Sequence, residues 1–472
     1  MTEPQPFRPS VAHAELGDAF FDVVEPAVFP TLTLRHRDDR WAARIGLDSL
    51  TDEEWLEHMG RMAPFAGSHP RPLALRYHGH QFRSYNPDLG DGRGFLLAQL
   101  HDLQDGRLLD LGTKGSGRTP YSRGGDGRLT LKGAIREILA TRMLEALGVY
   151  TSKTLSVVET GEALIRNDEP SPTRSAVLVR LSHSHIRIGT FQRLAFHDDA
   201  PNLGRLRDYS IRNYLPEAWR DDETARTVAF LDEVVSRVAK LGAQWTVAGF
   251  VHGVLNTDNI NITGESFDYG PWRFLPVLDR SFTAAYFDHS GLYAFGRQPE
   301  TLLWNLTRLA ECLLPLSSED ALIAVLKQFS PRFEAALRAA LLRRLGVASA
   351  GGEKDAALVQ AWFSSLQQSK VPFEQAFFDW YGGLARSGHA AASPVATAYQ
   401  EEAFAPVRTA LAGFEPAPGN AGDHPYFAGS APCTMLIEEV EAIWAPIAAS
   451  DDWSRLEAKL AAIDEMQGAY GS

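Results

Sequence analysis

The spacing of apolar residues changes near residue 200. Upstream, apolar positions fall in short runs bounded by Gly, Pro and Asp, as strands do. The runs at 95–100 and 108–111 are separated by Asp105-Gly106, a hairpin signal. Runs at 154–159, 163–166 and 176–181 continue as a meander, punctuated by Gly161 and by Pro170-Ser171-Pro172. One helix interrupts them at 129–147, with Leu131, Ile135, Ile138, Leu139 and Arg142 on a common stripe and Gly148 as its stop. Downstream the period becomes 3.6. Residues 224–245 carry Val228, Leu231, Val234, Val235, Val238 and Leu241 on one buried helical face. Further helices are expected at 301–314, 320–328, 332–345, 356–368, 373–385, 394–411 and 453–466. Residues 1–75 are mixed: Pro-rich stretches at 4–9, 26–30 and 64–72 flank one amphipathic helix at 52–62, entered through Thr51-Asp52-Glu53-Glu54.

This layout predicts an α+β protein: a small lobe with a five-strand sheet and one key helix, then a large, mainly helical lobe. The division is an N-terminal extension over 1–75 packing on the lobes, a β-rich lobe over 76–200 and a helical lobe over 201–472. No repeat at solenoid spacing is present. At ~150 residues per domain, 472 residues also suggest two or three packed units.

Composition narrows the class. Apolar residues are 44% and charged residues 22%, an ordinary globular balance. The net charge of −13 argues against a nucleic-acid coat or a polybasic membrane binder, which need excess positive charge. No apolar run approaches the ~18–20 residues of a membrane span, and the start, Met1-Thr2-Glu3-Pro4-Gln5-Pro6, lacks a signal or transit layout. Two cysteines, Cys312 and Cys433, exclude a disulfide framework and a four-cysteine zinc site. The expectation is a cytoplasmic monomer with no nucleic-acid or membrane partner. Among 46 cationic residues only 8 are Lys, and the first is Lys114, so each Lys stands out.

Chemistry concentrates in four places. Gly90-Asp91-Gly92-Arg93 and Gly125-Asp126-Gly127-Arg128 bracket Gly112-Thr113-Lys114-Gly115-Ser116-Gly117. Glycines let backbone N–H groups approach an anion and a neighbouring cation adds charge, so these segments could cradle a polyphosphate. Asp-Gly also marks plain hairpin turns, and that reading stays open. Glu137 sits off the apolar stripe of its helix, beside Ala134 and Thr141. It is either a solvated Glu or the ion-pair partner of a strand Lys, as in nucleotide-binding kinase lobes. His252-Gly253-Val254-Leu255-Asn256-Thr257-Asp258-Asn259 follows the long buried helix, and Asp268 follows Asn259 by nine residues. Their oxygens are hard ligands suited to Mg²⁺ or Mn²⁺, although Asn-rich turns are common without any metal. Arg180 and Arg187 flank His183-Ser184-His185 and would add charge deep in the small lobe. The His78/His80 and His183/His185 pairs lack third and fourth ligands, which favours hydrogen bonding over metal binding.

The stretches Tyr77-His78-Gly79-His80-Gln81-Phe82, Asn86 to Arg93, Lys114 to Arg123 and His252 to Asn259 closely resemble the selenoprotein O (YdiU) family, a likeness running from about residue 5 to at least residue 310. The resemblance implies a protein-kinase-like bilobal fold. It also implies protein adenylylation: ATP bound in a flipped orientation, with AMP passed to Ser, Thr or Tyr hydroxyls of other proteins. Some members are associated with uridylylation from UTP with Mn²⁺. By motif, Lys114 pairs with Glu137 and holds the phosphates. Gly90, Gly92, Arg93, Asp126, Gly127, Arg180 and Arg187 line the nucleotide site. Asp258 takes the general-base role, and Asn259 and Asp268 hold the metal. A flipped nucleotide gives sense to the surplus arginines, because an inward γ-phosphate must be met by charge deep in the small lobe.

The sequence also departs from the family. Arg83 stands where the family usually has Gly, and Gly94 where Ala is common. The family's C-terminal Cys or selenocysteine has no counterpart in Gln467-Gly468-Ala469-Tyr470-Gly471-Ser472, nor is there a partner Cys near Ala284. A constitutive enzyme, without a redox latch, is therefore expected. Two other readings remain open: a conventional γ-phosphate kinase, since His252-Gly253 also resembles antibiotic kinases, and a catalytically silent nucleotide-binding scaffold.

Overall fold

The computed structural model describes residues 7–167, 169–419 and 422–471. The start of the Pro-rich stretch at 4–9 and the terminal Ser472 lie outside the described residues. Thirteen strands occur among the described residues: β1 (Pro9–Ser10), β2 (Phe21–Val23), β3 (Thr33–Arg37), β4 (Leu73–Leu75), β5 (Gly79–Gln81), β6 (Ser84–Asn86), β7 (Leu96–His101), β8 (Leu108–Lys114), β9 (Leu129–Thr130), β10 (Lys153–Leu164), β11 (Thr173–Ser182), β12 (Phe250–His252) and β13 (Trp272–Phe274). Nine of them form an antiparallel sheet in the order β2-β4-β7-β8-β11-β10-β3, with β1 beside β7 and β9 beside β11. The fold is thus mixed α/β with helices on an antiparallel sheet.

The expected hairpin at Asp105-Gly106 joins β7 to β8, and Gly106 takes the left-handed backbone such a turn needs. The runs at 154–159 and 163–166 are one strand, β10. Its register shifts between Glu159 and Ala163, around the left-handed Gly161, so a bulge rather than a break separates them. The sheet has more strands than the five expected. Its two edges, β2 and β3, come from the first 75 residues, and strands of three and five residues are too short to show a period.

Both faces of the sheet are covered. On β11, Ala176 and Leu178 pack with helix α3 (Leu131–Ala146). The alternate residues Val177, Val179 and Leu181 pack with Trp41 and Trp55 of α1 (Asp39–Arg44) and α2 (Asp52–Met59). Hence the run 176–181 reads as nearly continuous apolar residues, and Arg180 falls on the α3 side. The capping box at Thr51 and Glu54 forms as expected. Helix α1 was not anticipated; Asp38 caps it through Trp41 N–H.

Helices α4 (Ile188–Phe196), α5 (Ala200–Tyr214), α6 (Glu223–Ala248) and α7 (Gln298–Cys312) follow the sheet. Asp222 caps α6, and left-handed Gly249 ends it just before β12. Strands β12 and β13 pair, closing a loop that carries Asp258, Asn259 and Asp268. The expected helix at 373–385 stops at Asp379, ahead of left-handed Gly382 and Gly383. The helix expected at 394–411 is broken into Ala396–Gln400 and Ala405–Leu411, with Glu402–Phe404 as a 3₁₀ turn between them. The final helices, Ile437–Ser450 and Ser454–Tyr470, return to pack on α3. No helix among the described residues is long and apolar enough to cross a membrane.

Candidate active site

Lys114 is the last residue of β8 and faces Leu178 on β11. Arg180 lies two residues further along β11, so both cations project from the same side of the sheet, toward α3. Lys114 Nζ donates to Glu137 Oε2 at 2.8 Å and to Asp268 Oδ1 at 3.0 Å. Glu137, expected on a helix flank, is only 1% exposed, because the sheet covers that flank. Arg180 Nη2 reaches Glu137 at 3.3 Å and Asp268 at 3.7 Å. Arg187 contacts Asp91 Oδ1 at 3.3 Å and Asp268 Oδ2 at 3.7 Å, and donates to the Asp258 carbonyl oxygen at 3.2 Å. Three cations and three carboxylates therefore alternate in one buried cluster.

The two guanidinium planes lie over aromatic rings. Arg187 is 4.3 Å from the Tyr77 ring centroid and 5.0 Å from that of Phe267, and Arg180 is 5.6 Å from Phe267. A lysine could not use such a surface in the same way, which gives a local reason for Arg here. Even so, Arg180 Nε and Nη1 and Arg187 Nε are buried without a hydrogen-bond partner. Unpartnered buried donors on cations are what an anionic ligand would satisfy.

These groups border a cavity of about 780 Å³. Of the expected residues, Gly90, Gly92, Arg93, Lys114, Asp126, Gly127, Arg180, Arg187, Asp258 and Asp268 line it. Glu137 stands behind Lys114. Asn259 is not on the lining, and its amide donates to Val254 O at 2.9 Å. Thr257–Asn259 is a 3₁₀ turn, whose three residues per turn send neighbouring side chains about 120° apart. Asp258 and Asn259 thus diverge.

Two glycines have strict packing reasons. A Cβ on Gly90 would lie 2.3 Å from the Tyr121 ring, and one on Gly127, at φ +71°, would lie 2.2 Å from Gly117 O. The Gly-Asp-Gly-Arg segments are consequently packed loops on the cavity wall, not isolated hairpin turns.

Asp258 is buried, and its Oδ1 has no hydrogen-bond partner. Burial pushes its carboxyl pKa up to about 6, against the opposing charge of Arg187. Burial also acts on Asp268, but Lys114, Arg180 and Arg187 hold its carboxyl well below the usual carboxylate range. Asp268 has φ 61°, a left-handed backbone that Asp tolerates better than most residues and that functional sites often retain. The turn below is tied down by side chains. Asn256 Oδ1 accepts from Tyr293 Oη at 2.6 Å, and Thr257 Oγ1 donates to Gln192 Oε1 at 2.5 Å.

Several lining residues had no sequence signal. Asp91 lies within a motif read for its glycines, yet its carboxylate holds Arg187 and accepts from Leu75 N–H at 3.0 Å. Arg166 pairs with Asp126 at 2.8 Å, and Arg123 joins Arg93 as an exposed lining cation. The paired histidines hydrogen-bond as expected: His78 to Tyr85, His80 to Gln192, His183 to Tyr150 and His185 to Asp110. Among the described residues no group of three or more His, Cys, Asp or Glu could hold a metal. The carboxylate of Asp268 and the amide oxygen of Asn259 are nonetheless hard donors. They fit a cation that completes its shell with phosphate oxygens and water, as Mg²⁺ does.

A family model described as "Protein adenylyltransferase SelO" matches residues 7–464. "Protein nucleotidyltransferase YdiU" of Gloeobacter violaceus is 44% identical over 455 residues, covering 94% of this chain and 92% of the relative. Proteins of that same description from Synechocystis sp. and Methylorubrum extorquens are 50% identical over 342 residues and 42% over 386. The first alignment covers 72% of this chain and 71% of the relative, the second 80% and 75%.

Proposed function

The chain belongs to the SelO family and is a protein nucleotidyltransferase, and from that premise we propose that it transfers AMP from a flipped ATP to Ser, Thr or Tyr hydroxyls of target proteins. The observation that carries this reading is the buried cluster of Lys114, Arg180 and Arg187, in which Arg180 Nε and Nη1 and Arg187 Nε lack partners. Terminal phosphates seated there leave the α-phosphate toward the acceptor. The proposal includes the protein-kinase-like bilobal arrangement, with the extension over 1–75, the nucleotide-binding lobe over 76–200 and the helical lobe over 201–472. UTP in place of ATP, and cytoplasmic action as a monomer, belong to the same proposal.

In this mechanism Glu137 holds Lys114 aimed at the phosphates, and Arg93 approaches them from the exposed side. Gly90, Gly92, Asp126 and Gly127 shape the wall along the nucleotide. Asp258 accepts the proton of the acceptor hydroxyl as its oxygen bonds to the α-phosphorus and pyrophosphate leaves. A carboxyl held near pKa 6 is still mostly ionised at neutral pH, as a general base requires. Asn259 and Asp268 would hold a divalent cation, Mg²⁺ or Mn²⁺, whose chemistry is to neutralise charge on the phosphates.

ATP labelled at the α- or the γ-phosphate tests the reading. With Mg²⁺ or Mn²⁺, α-label and an AMP-sized mass are expected on protein targets and on the enzyme itself. Label arriving only from the γ-position would overturn the proposal in favour of a kinase.

Control by oxidation is not expected. Cys312 is buried and Cys433 half-buried, both are free thiols, and burial raises their pKa values to about 12 and about 11. Neither is the thiolate that oxidation requires. Activity is expected to be equal, within error, in dithiothreitol and after mild oxidation. Several-fold activation by reductant, lost in Cys312→Ala, would contradict this.

A further inference from the structure

Beside the cavity, the β5–β6 hairpin turns through Phe82 and Arg83, both left-handed at φ 49° and 64°. Such two-residue turns are normally built from Asn-Gly or Gly-Gly, and a bulky residue there is strained. The neighbours hold the strain in place. Phe82 N–H donates to Asn256 Oδ1 at 3.1 Å and Tyr293 Oη at 3.2 Å, and His80 N–H donates to Thr257 Oγ1 at 2.7 Å. The hairpin is thereby fastened to the turn that carries Asp258, and Gln81 lines the cavity beside it.

The Phe82 ring packs on one side against the Tyr293 ring, with centroids 4.9 Å apart, and leaves its other side open. It is 37% exposed and meets the Phe287 ring edge-on at 5.9 Å, while Tyr286, 83% exposed, meets Phe287 at 5.1 Å. Of the five exposed Phe, Tyr and Trp side chains among the described residues, these three share one patch. Arg83 turns away toward Glu300 and the Trp304 ring, which keeps its charge off the aromatic surface.

We propose that Phe82, Tyr286 and Phe287 form the docking surface for the acceptor protein, seating a bulky apolar side chain that flanks the modified hydroxyl. This rests on the protein-transfer reading above. Continuity with the cavity commits the patch to that occupant. The nucleotide is met by cations inside, whereas the acceptor must bring its hydroxyl to Asp258 and run its neighbouring residues across the rim. A Cβ on Gly79, at the base of the hairpin, would lie 3.1 Å from Asp258 Oδ1. The tip at Phe82 is three residues on, so at about 3.3 Å per residue an acceptor position roughly three residues from the hydroxyl reaches it. Rigid aromatic rings suit the task, because they offer large apolar contact at low entropic cost.

Short synthetic peptides with one central Ser or Tyr in an Ala/Gly/Lys background, with and without one flanking Phe, supply the test on the full chain. Binding is read by fluorescence anisotropy and the transferred group by mass. The wild type is expected to bind the Phe-bearing peptides several-fold more tightly. Phe82→Asn combined with Phe287→Ser is expected to lose that preference while keeping its ATP affinity; Asn is chosen because it tolerates φ > 0. Tyr286→Ser, at a position too exposed to affect folding, is expected to lose part of it and decides the matter if the double variant does not fold. Equal binding of the two peptide sets by the wild type, or a preference kept in these variants, would overturn the docking proposal. Phe-dependent binding without an AMP-sized gain would leave docking standing and count against AMP transfer instead.

Discussion

Asp258→Ala is expected to lower turnover by ~10²-fold or more, the scale of losing a general base, while leaving nucleotide binding largely intact. The two effects separate because of how Asp258 is held. Arg187 contacts its main-chain carbonyl oxygen, not its carboxylate. Truncating the side chain leaves that bond, and Asn256 and Thr257 keep the turn in place through their own partners. What disappears is a buried carboxylate with one oxygen unpartnered. Asp258→Asn keeps the shape and removes the basicity, so it is expected to fall with Ala. Calorimetry with ATP and transfer of α-label to a protein acceptor read the two quantities independently. Wild-type transfer by either variant would show the base assignment to be wrong.

The parts of this site that were legible in the sequence are those with a local signature. Lys114 stood out as the first Lys of an Arg-rich chain, at the end of an apolar strand and among glycines. Asp258, Asn259 and Asp268 stood out by their spacing after a long buried helix. What escaped was set by distant pairing. Asp91 acts through Leu75 N–H, 16 residues before it, and Arg187, 96 residues on, and nothing beside it in the chain marks those partnerships. Glu137 was legible as a flank residue with two readings, solvated or paired with a strand Lys; helical periodicity could not choose between them, and the 2.8 Å contact with Lys114 does. The same limit applies to the fold. The β7–β8 hairpin and α6 carry long, regular patterns, whereas β2 and β4 pair over three residues each and are strands only because each has a partner.

Asp268→Ala is expected to abolish the metal-dependent part of nucleotide binding. Among the described residues its carboxylate is the one acidic group in contact with all three buried cations, at 3.0 Å from Lys114 and 3.7 Å from both Arg180 and Arg187. Removing it leaves those cations facing each other with Glu137, Asp91 and the more distant charge of Asp258 as counter-charges, and it deprives a divalent cation of its charged ligand. The cations themselves remain able to meet phosphates, so binding without metal is expected to persist. A charge-assisted contact contributes roughly 1.5–3 kcal/mol, which is about ten- to a hundredfold in Kd. That is the size of the gain from added Mg²⁺ or Mn²⁺ that the variant is expected to lose. Asp268→Asn retains an oxygen and the left-handed backbone that Asn also accepts, but not the charge, so it separates charge from geometry. Titrating ATP with and without metal into wild type, Asp268→Ala and Asp268→Asn measures the increment directly. A full metal-dependent gain in Asp268→Ala would place the cation's ligand elsewhere. A loss in Ala that Asn restores would mean that the oxygen, rather than its charge, is what the cation requires.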